Sequence, residues 1–219
     1  MERPPDFAFA AGQYVDVTLP DPSLRDPAGP TRSFSIASPP TAPSLRILLR
    51  LGETGFKRSL AAAPPGGTLL LGGPDGSFVL PADDARPLVF LAGGVGVAPF
   101  LSMLAEAAAQ ARPLDTTLFY SNRRPEDAAY LDILADLERA VPRFRVVATM
   151  TRMERSRRPW TGETTPIGPE LLARYLRTPR GPCYYVAGSP GLVAGVRYML
   201  VRELGVASED IKIEMFAGY

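Results

Sequence analysis

From Pro87 to Ala105 the chain runs nineteen residues without a charge, with Gly93, Gly94 and Gly96 at its centre. A stretch this apolar must be buried, and it is nearly long enough to cross a bilayer. Its glycines and Pro99 argue against a continuous membrane helix. A buried strand that turns through glycine into a helix accounts for it better. Pro99 then falls in the first helical turn, where a missing N–H is harmless. No membrane span is expected.

Downstream the same rhythm repeats. Leu88–Ala92, Thr116–Ser121, Phe144–Thr149, Tyr184–Ala187 and Asp210–Phe216 read as strands. Pro99–Ala111, Glu126–Ala140, Glu170–Leu176 and Gly191–Leu204 read as the helices between them. Strands that are apolar throughout and alternate with helices imply a parallel sheet covered on both faces. Upstream the texture is different. Tyr14–Leu19, Arg32–Ala37, Leu45–Leu51, Thr68–Leu71 and Ser77–Leu80 are short β-like runs broken by prolines, with one helix at Phe56–Ala63. That pattern fits a small antiparallel β-barrel. The expected organisation is two domains, a barrel over residues 1–84 and an α/β domain over residues 85–219.

Composition removes whole classes of chemistry. The chain has no histidine and one cysteine, Cys183. A Ser-His-Asp triad, a histidine metal site and a four-cysteine iron–sulfur cluster are therefore excluded from these residues, and no metal is expected. A formal charge of +1 gives no electrostatic footprint for nucleic acid. Residues 1–9 lack the apolar core of a signal peptide, so the expected location is cytoplasmic. The remaining routes to chemistry are carboxylates or a bound cofactor.

Two segments carry anion-binding chemistry. Gly93-Gly94-Val95-Gly96-Val97-Ala98-Pro99 lies between a strand and a helix, where bare backbone and a helix N-terminus can approach a pyrophosphate. Its Gly-x-Gly-x-x-Pro spacing departs from the dinucleotide fingerprint G-x-G-x-x-G, and no ribose-binding acid follows at the usual distance. A ligand-free turn stays open on this segment alone. Arg32-Ser33-Phe34-Ser35-Ile36-Ala37-Ser38 puts an arginine at the head of a β-run, suited to bidentate phosphate contact. Alternation sends Arg32 and Phe34 to one face, and Ser33 and Ser35 to the other. An edge strand with a solvated arginine is the competing reading.

Taken together, Arg32–Ser38, Gly93–Pro99, Val186-Ala187-Gly188-Ser189-Pro190 and Glu214-Met215-Phe216 occur in the order and spacing of the ferredoxin–NADP reductase superfamily. The chain resembles that superfamily from Gly12-Gln13-Tyr14 to Tyr219. The resemblance implies a flavin-dependent oxidoreductase moving hydride from NAD(P)H to FAD, nicotinamide C4 to flavin N5, and electrons onward to a separate acceptor. That acceptor is a ferredoxin, a flavodoxin, an oxygenase component or a small molecule. Arg32, with Ser33, Phe34 and Ser35, would hold FAD, Arg32 at its pyrophosphate and Ser35 near N5. Leu48, Leu49 and Arg50 match a second flavin-contacting strand. Phe56, Lys57 and Arg58 match a helix start that meets the pyrophosphate, and Phe216 or Tyr219 would cover the flavin. Gly93, Gly94, Val95, Gly96 and Pro99 would take the nicotinamide dinucleotide, with Ala187, Gly188, Ser189 and Pro190. Thr151 and Arg152, helped by Arg123, stand where NADPH-using relatives hold the 2′-phosphate, so NADP is favoured over NAD. Ser35 and Glu214 are the catalytic candidates.

The chain also departs from that pattern. Few residues precede Gly12, where the family usually has another barrel strand. The helix-start serine is replaced near Lys57, and the cysteine that commonly precedes the nicotinamide-side glycine is Ala187. No ferredoxin-type cysteine cluster is present. A free-flavin reductase and a non-catalytic nucleotide-binding subunit of a larger redox complex are the alternative functions.

Overall fold

The computed structural model describes residues 1–21, 25–81 and 86–216. Among them, eight strands form two sheets. β1 (Tyr14–Thr18), β2 (Thr31–Ser35) and β3 (Leu70–Asp75) make an antiparallel sheet in the order β2-β1-β3. β4 (Leu88–Gly93), β5 (Thr116–Asn122), β6 (Phe144–Met150), β7 (Cys183–Gly188) and β8 (Ile211–Met215) make a parallel sheet in the order β6-β5-β4-β7-β8.

The parallel sheet forms because its strands are apolar on both faces. Leu88, Phe90 and Ala92 pack in one cluster with Phe100 and Leu104 of α2 (Ala98–Ala109) and Leu134 of α3 (Leu131–Ala140). Val89 and Leu91 pack in another with Leu171 of α4 (Pro169–Tyr175) and Val193 and Val196 of α5 (Pro190–Tyr198). Each of the Val, Leu and Phe side chains stabilises the fold by roughly 1.5–3 kcal/mol when fully buried. Phe90 stacks on Phe100 with ring centroids 4.5 Å apart, which fixes α2 over β4.

The antiparallel part is thinner. Val15, Val17, Phe34, Ile36 and Leu45 form its core with Phe56 of α1 (Gly55–Ala62). The expected strand at Leu45–Leu51 is replaced by isolated bridges, Glu2 with Ser44 and Ile36 with Ile47. Pro39, Pro40 and Pro43 precede it, and proline cannot donate to a ladder. Ser77–Leu80 is likewise not a strand; its Phe78 enters the large α/β core instead. The expected domain boundary between residues 84 and 85 lies outside the described residues.

The two parts are bonded together. The buried Ser102 hydroxyl of α2 donates to the Ser38 carbonyl at 2.7 Å, and Tyr185 of β7 donates to the Val79 carbonyl at 3.0 Å. Gly12, at φ +102°, lies so close to the Phe78 carbonyl that an added Cβ would sit 2.1 Å from it. Contact this tight ties the chain entering the small sheet to Phe78, which packs in the large core.

Candidate functional site

In the parallel sheet the chain moves outward from β4 to β5 and β6, then returns to lay β7 on the other side of β4. Ligands of such sheets bind beyond the strand C-termini, at that reversal. Register places Gly93 beside Ser121, Ala92 beside Ala187, and Ala187 beside Glu214. The glycine turn, the end of β5 and Glu214 therefore share one level of the molecule.

A cavity of about 360 Å³ opens there, lined by Arg50, Gly93, Gly94, Val95, Ser121, Asn122, Arg123, Thr151, Ser189 and Leu192. After Gly93 the chain makes one 3₁₀ turn, Gly94–Val97, and then enters α2. Gly94 has φ +54°, and nothing lies within 4 Å of where its Cβ would be. Bare backbone thus faces open space at a helix entrance, which suits a phosphate group. Gly96 serves packing instead. An added Cβ would lie 2.3 Å from the Ala187 carbonyl oxygen, so only glycine lets the turn approach β7. Ser189 caps α5, its hydroxyl accepting from the Leu192 amide at 3.5 Å.

Asn122 was not singled out by its sequence. Its side chain is buried, and neither amide atom has a hydrogen-bond partner among the described residues. An unpaired buried amide costs about 1–3 kcal/mol. Burial pushes the nearby Tyr120 hydroxyl up to about 12, and a side-chain interaction with Asn122, too poorly aligned to satisfy the amide, opposes that shift. Terminal position on β5 beside the glycine turn is the signal that would have found it.

A second cavity, of about 600 Å³, lies between the small sheet and β8. Tyr14, Ala28, Thr31, Arg32, Ser33, Phe34, Ser35, Phe56, Lys57, Glu214, Met215 and Phe216 line it. Ser35 and Glu214, 179 residues apart, meet here: the Ser35 hydroxyl donates to Glu214 Oε1 at 3.1 Å. Glu214 Oε2 is buried without a partner among the described residues. Burial pushes the carboxyl up to about 7, opposed by the Ser35 hydrogen bond. A group titrating near neutrality can hold or release a proton at the working pH.

Several sequence-expected residues are placed elsewhere. Arg50, expected beside the flavin, lines the glycine-turn cavity and faces Asp127 at 3.7 Å. The run carrying it leaves the small sheet after Ile47 and crosses toward the α/β part. Leu48 packs against the large core and Leu49 against the small one, and neither lines a cavity named here. Arg58 points away and donates to the Glu53 carbonyl. Phe216 borders the cavity but is buried in the large core, and its amide donates to the Gly188 carbonyl at 2.9 Å. Pro99 is buried at the start of α2, Ala187 is buried in β7, and Gly188 ends that strand at φ +156°. Pro190 begins α5 at the surface, and Arg152 is exposed beside Thr151. Tyr219 lies outside the described residues.

An antiparallel sheet joined to a five-stranded parallel sheet, with a glycine turn at the reversal and a carboxylate between them, defines a reductase-type two-part fold. The model of the oxidoreductase NAD-binding domain matches residues 90–198. Ferredoxin–NADP reductase B of Sorangium cellulosum is 31% identical over 218 residues, covering 96% of this chain and 86% of that protein. Reductase component 2 of terephthalate 1,2-dioxygenase from Comamonas is 32% identical over 212 residues. A solved ferredoxin NADP⁺ reductase from Neisseria gonorrhoeae, with bound FAD and NADP, superposes with a TM-score of 0.76 at 27% identity. It is covered over 89% of its length by 98% of this chain. The chain belongs to the ferredoxin–NADP reductase superfamily. It spans 60% of the length of the terephthalate dioxygenase reductase component.

Proposed function

We propose that this chain is an NAD(P)H-dependent flavin oxidoreductase, holding FAD in the larger cavity and the nicotinamide dinucleotide at the glycine turn. When bound, FAD supplies acceptance of a hydride and release of electrons one at a time. The observation that carries the reading is the Ser35–Glu214 contact, which joins the two catalytic candidates across the two sheets. The larger cavity fits the group. Tyr14, Phe34 and Phe56 offer aromatic walls, Arg32 and Lys57 offer positive charge, and an orphaned carboxylate oxygen offers an acceptor.

Within this reading, Ser35 steadies the flavin edge and Glu214 holds or releases a proton beside the reacting rings. Gly94 admits a phosphate. The unpaired Asn122 amide, with Arg50 and Arg123, supplies donors to the same ligand. Thr151 and Arg152 favour NADPH over NADH through the 2′-phosphate. Electrons leave to a separate acceptor, an oxygenase component or a ferredoxin, consistent with the names of the relatives. Among the described residues no helix is long and apolar enough to cross a membrane. The single cysteine, Cys183, is buried and needs no oxidising compartment, which supports a cytoplasmic location.

The test is spectroscopic. Purified protein titrated with FAD is expected to show bound-flavin bands, to bleach on NADPH addition, and to reduce ferricyanide catalytically. A folded protein that takes up no FAD sinks the proposal. Activity only with excess free flavin points to the free-flavin reductase reading.

A further inference from the structure

The cation at the head of β2 is already occupied. Arg32 Nη2 donates to Asp26 Oδ1 at 2.6 Å, while Nη1 lies 2.7–2.9 Å from the carbonyls of Ala28, Gly29 and Thr31. Its guanidinium also lies 5.2 Å from the centre of the Phe56 ring. The entrance of α1 is occupied too. Asp26 Oδ2 accepts from the Phe56 amide at 2.8 Å, and the Thr54 hydroxyl accepts from the Lys57 amide at 3.3 Å. Asp26 Oδ1 takes a further bond from the Ala28 amide at 3.0 Å. Only 4% of the Asp26 side chain is exposed.

The Asp26 carboxylate therefore sits between an arginine and a helix N-terminus, the donor set a phosphate group uses. The loop that carries it is fitted to the helix. An added Cβ on Gly55 would lie 2.2 Å from the Arg25 carbonyl oxygen. Ala28, Arg32, Phe56 and Lys57 all line the larger cavity, so the carboxylate stands at its wall rather than at a remote surface.

We propose that Asp26 is an internal competitor for the diphosphate of FAD, occupying the Arg32 and Phe56 donors until the cofactor displaces it. The inference rests on the flavin reading above. The diphosphate and the Asp26 carboxylate compete for Arg32 Nη2 and for the single Phe56 N–H, so full engagement of the diphosphate displaces the Asp26 contacts. Flavin affinity is thereby lowered, and the cofactor exchanges readily. Riboflavin, which has no phosphate, escapes the competition.

The sign of one substitution decides the matter. Asp26→Asn removes the charge while keeping the size, so FAD is expected to bind about tenfold more tightly and riboflavin within twofold of the parent. The melting temperature of the flavin-free chain should fall at the same time, because native contacts are lost. In an Arg32→Ala background the same substitution should bring a smaller gain, since one of the two contested donors is gone. If Asp26 instead orients Arg32 for the cofactor, Asp26→Asn will weaken FAD binding, and the proposal is overturned. Unchanged FAD affinity, or equal tightening of riboflavin, overturns it as well. If the folded parent and the variant both ignore FAD, the flavin reading itself fails. Should Asp26→Asn not fold, Asp26→Ser supplies a neutral acceptor for the Phe56 amide. Hydrogen exchange on the parent is a further check: residues 25–30 should exchange faster once FAD is bound, and slower exchange there excludes displacement of Asp26.

Discussion

The two cavities differ in how their polar groups are spent. At the glycine turn the groups are open: Gly94 faces empty space, and both amide atoms of Asn122 are unpaired among the described residues. At the small sheet the anion-binding groups are already bonded within the chain, Arg32 and the Phe56 amide to Asp26. One cavity is preorganised and carries the energetic penalty of an orphaned amide. In the other, Arg32 and the Phe56 amide are bonded within the chain and must rearrange to accept an anion, while Glu214 Oε2 is left unpaired among the described residues. Preorganised donors raise affinity because nothing has to be broken first. On the proposed reading, the contrast predicts a nucleotide side that binds readily and a flavin side that holds its cofactor loosely.

The severest way to break the comparison is to destroy one side. Gly96→Ala drives a Cβ into the backbone of Ala187 and Gly188, which cannot swing aside as a side chain can. A loss of about 3 kcal/mol in denaturant unfolding is expected, together with loss of nucleotide binding. Near-parental stability would show that the turn has room to move.

Glu214→Gln tests the junction between the sides. The folded carboxyl, pushed up to about 7 from 4.5, keeps its proton where the unfolded chain has lost it. The native state therefore binds more protons between those values, and parental stability falls as pH rises from 4.5 to 7. Glutamine has no charge to bury, so the variant should be more stable at pH 8 by about 2 kcal/mol, partial exposure reducing the full effect. Its turnover should drop about 10–100-fold. Thermal melts from pH 4 to 8, set beside steady-state rates, measure both; identical pH slopes would remove Glu214 as the titrating group.

Loss of a polar group tests each cavity separately. Arg32→Ala should weaken FAD binding by about 1.5 kcal/mol, at the low end for a charge-assisted contact because its donors are shared. Asn122→Leu should stabilise the free protein by about 1 kcal/mol, since an unpaired buried amide is removed. It should also raise the Michaelis constant for the nucleotide several-fold. A destabilised Asn122→Leu protein would mean that the amide is satisfied after all, and the contrast between the cavities would fail.

The smallest effect is expected at Arg152, which is exposed and screened by solvent. Arg152→Ala should raise the Michaelis constant for NADPH by a few-fold, under about 1 kcal/mol, and leave NADH nearly unchanged. Equal changes with both nucleotides would remove it from 2′-phosphate recognition.

Local pattern determined the α/β half. Leu88–Ala92 is apolar on both faces, so it had to be an interior strand, and Gly93-Gly94 followed by Pro99 had to turn it into a helix. The order of motifs likewise identified the family from the sequence alone. Pattern was a poorer guide where pairing depends on distant partners. Leu45–Leu51 is apolar enough to read as a strand, yet within it only Ile47 forms a bridge, and that a single one. Arg50 consequently ends beside the glycine turn rather than in the small sheet. Three placements belong to tertiary structure entirely: Ser35 against Glu214, Asp26 on the Phe56 amide, and the buried unpaired amide of Asn122. A sequence records which groups a chain owns and how they alternate over a few residues. Which groups meet across two sheets, and which remain unpaired, is decided by long-range packing, because a hydrogen bond exists only where the fold brings donor and acceptor within about 3 Å.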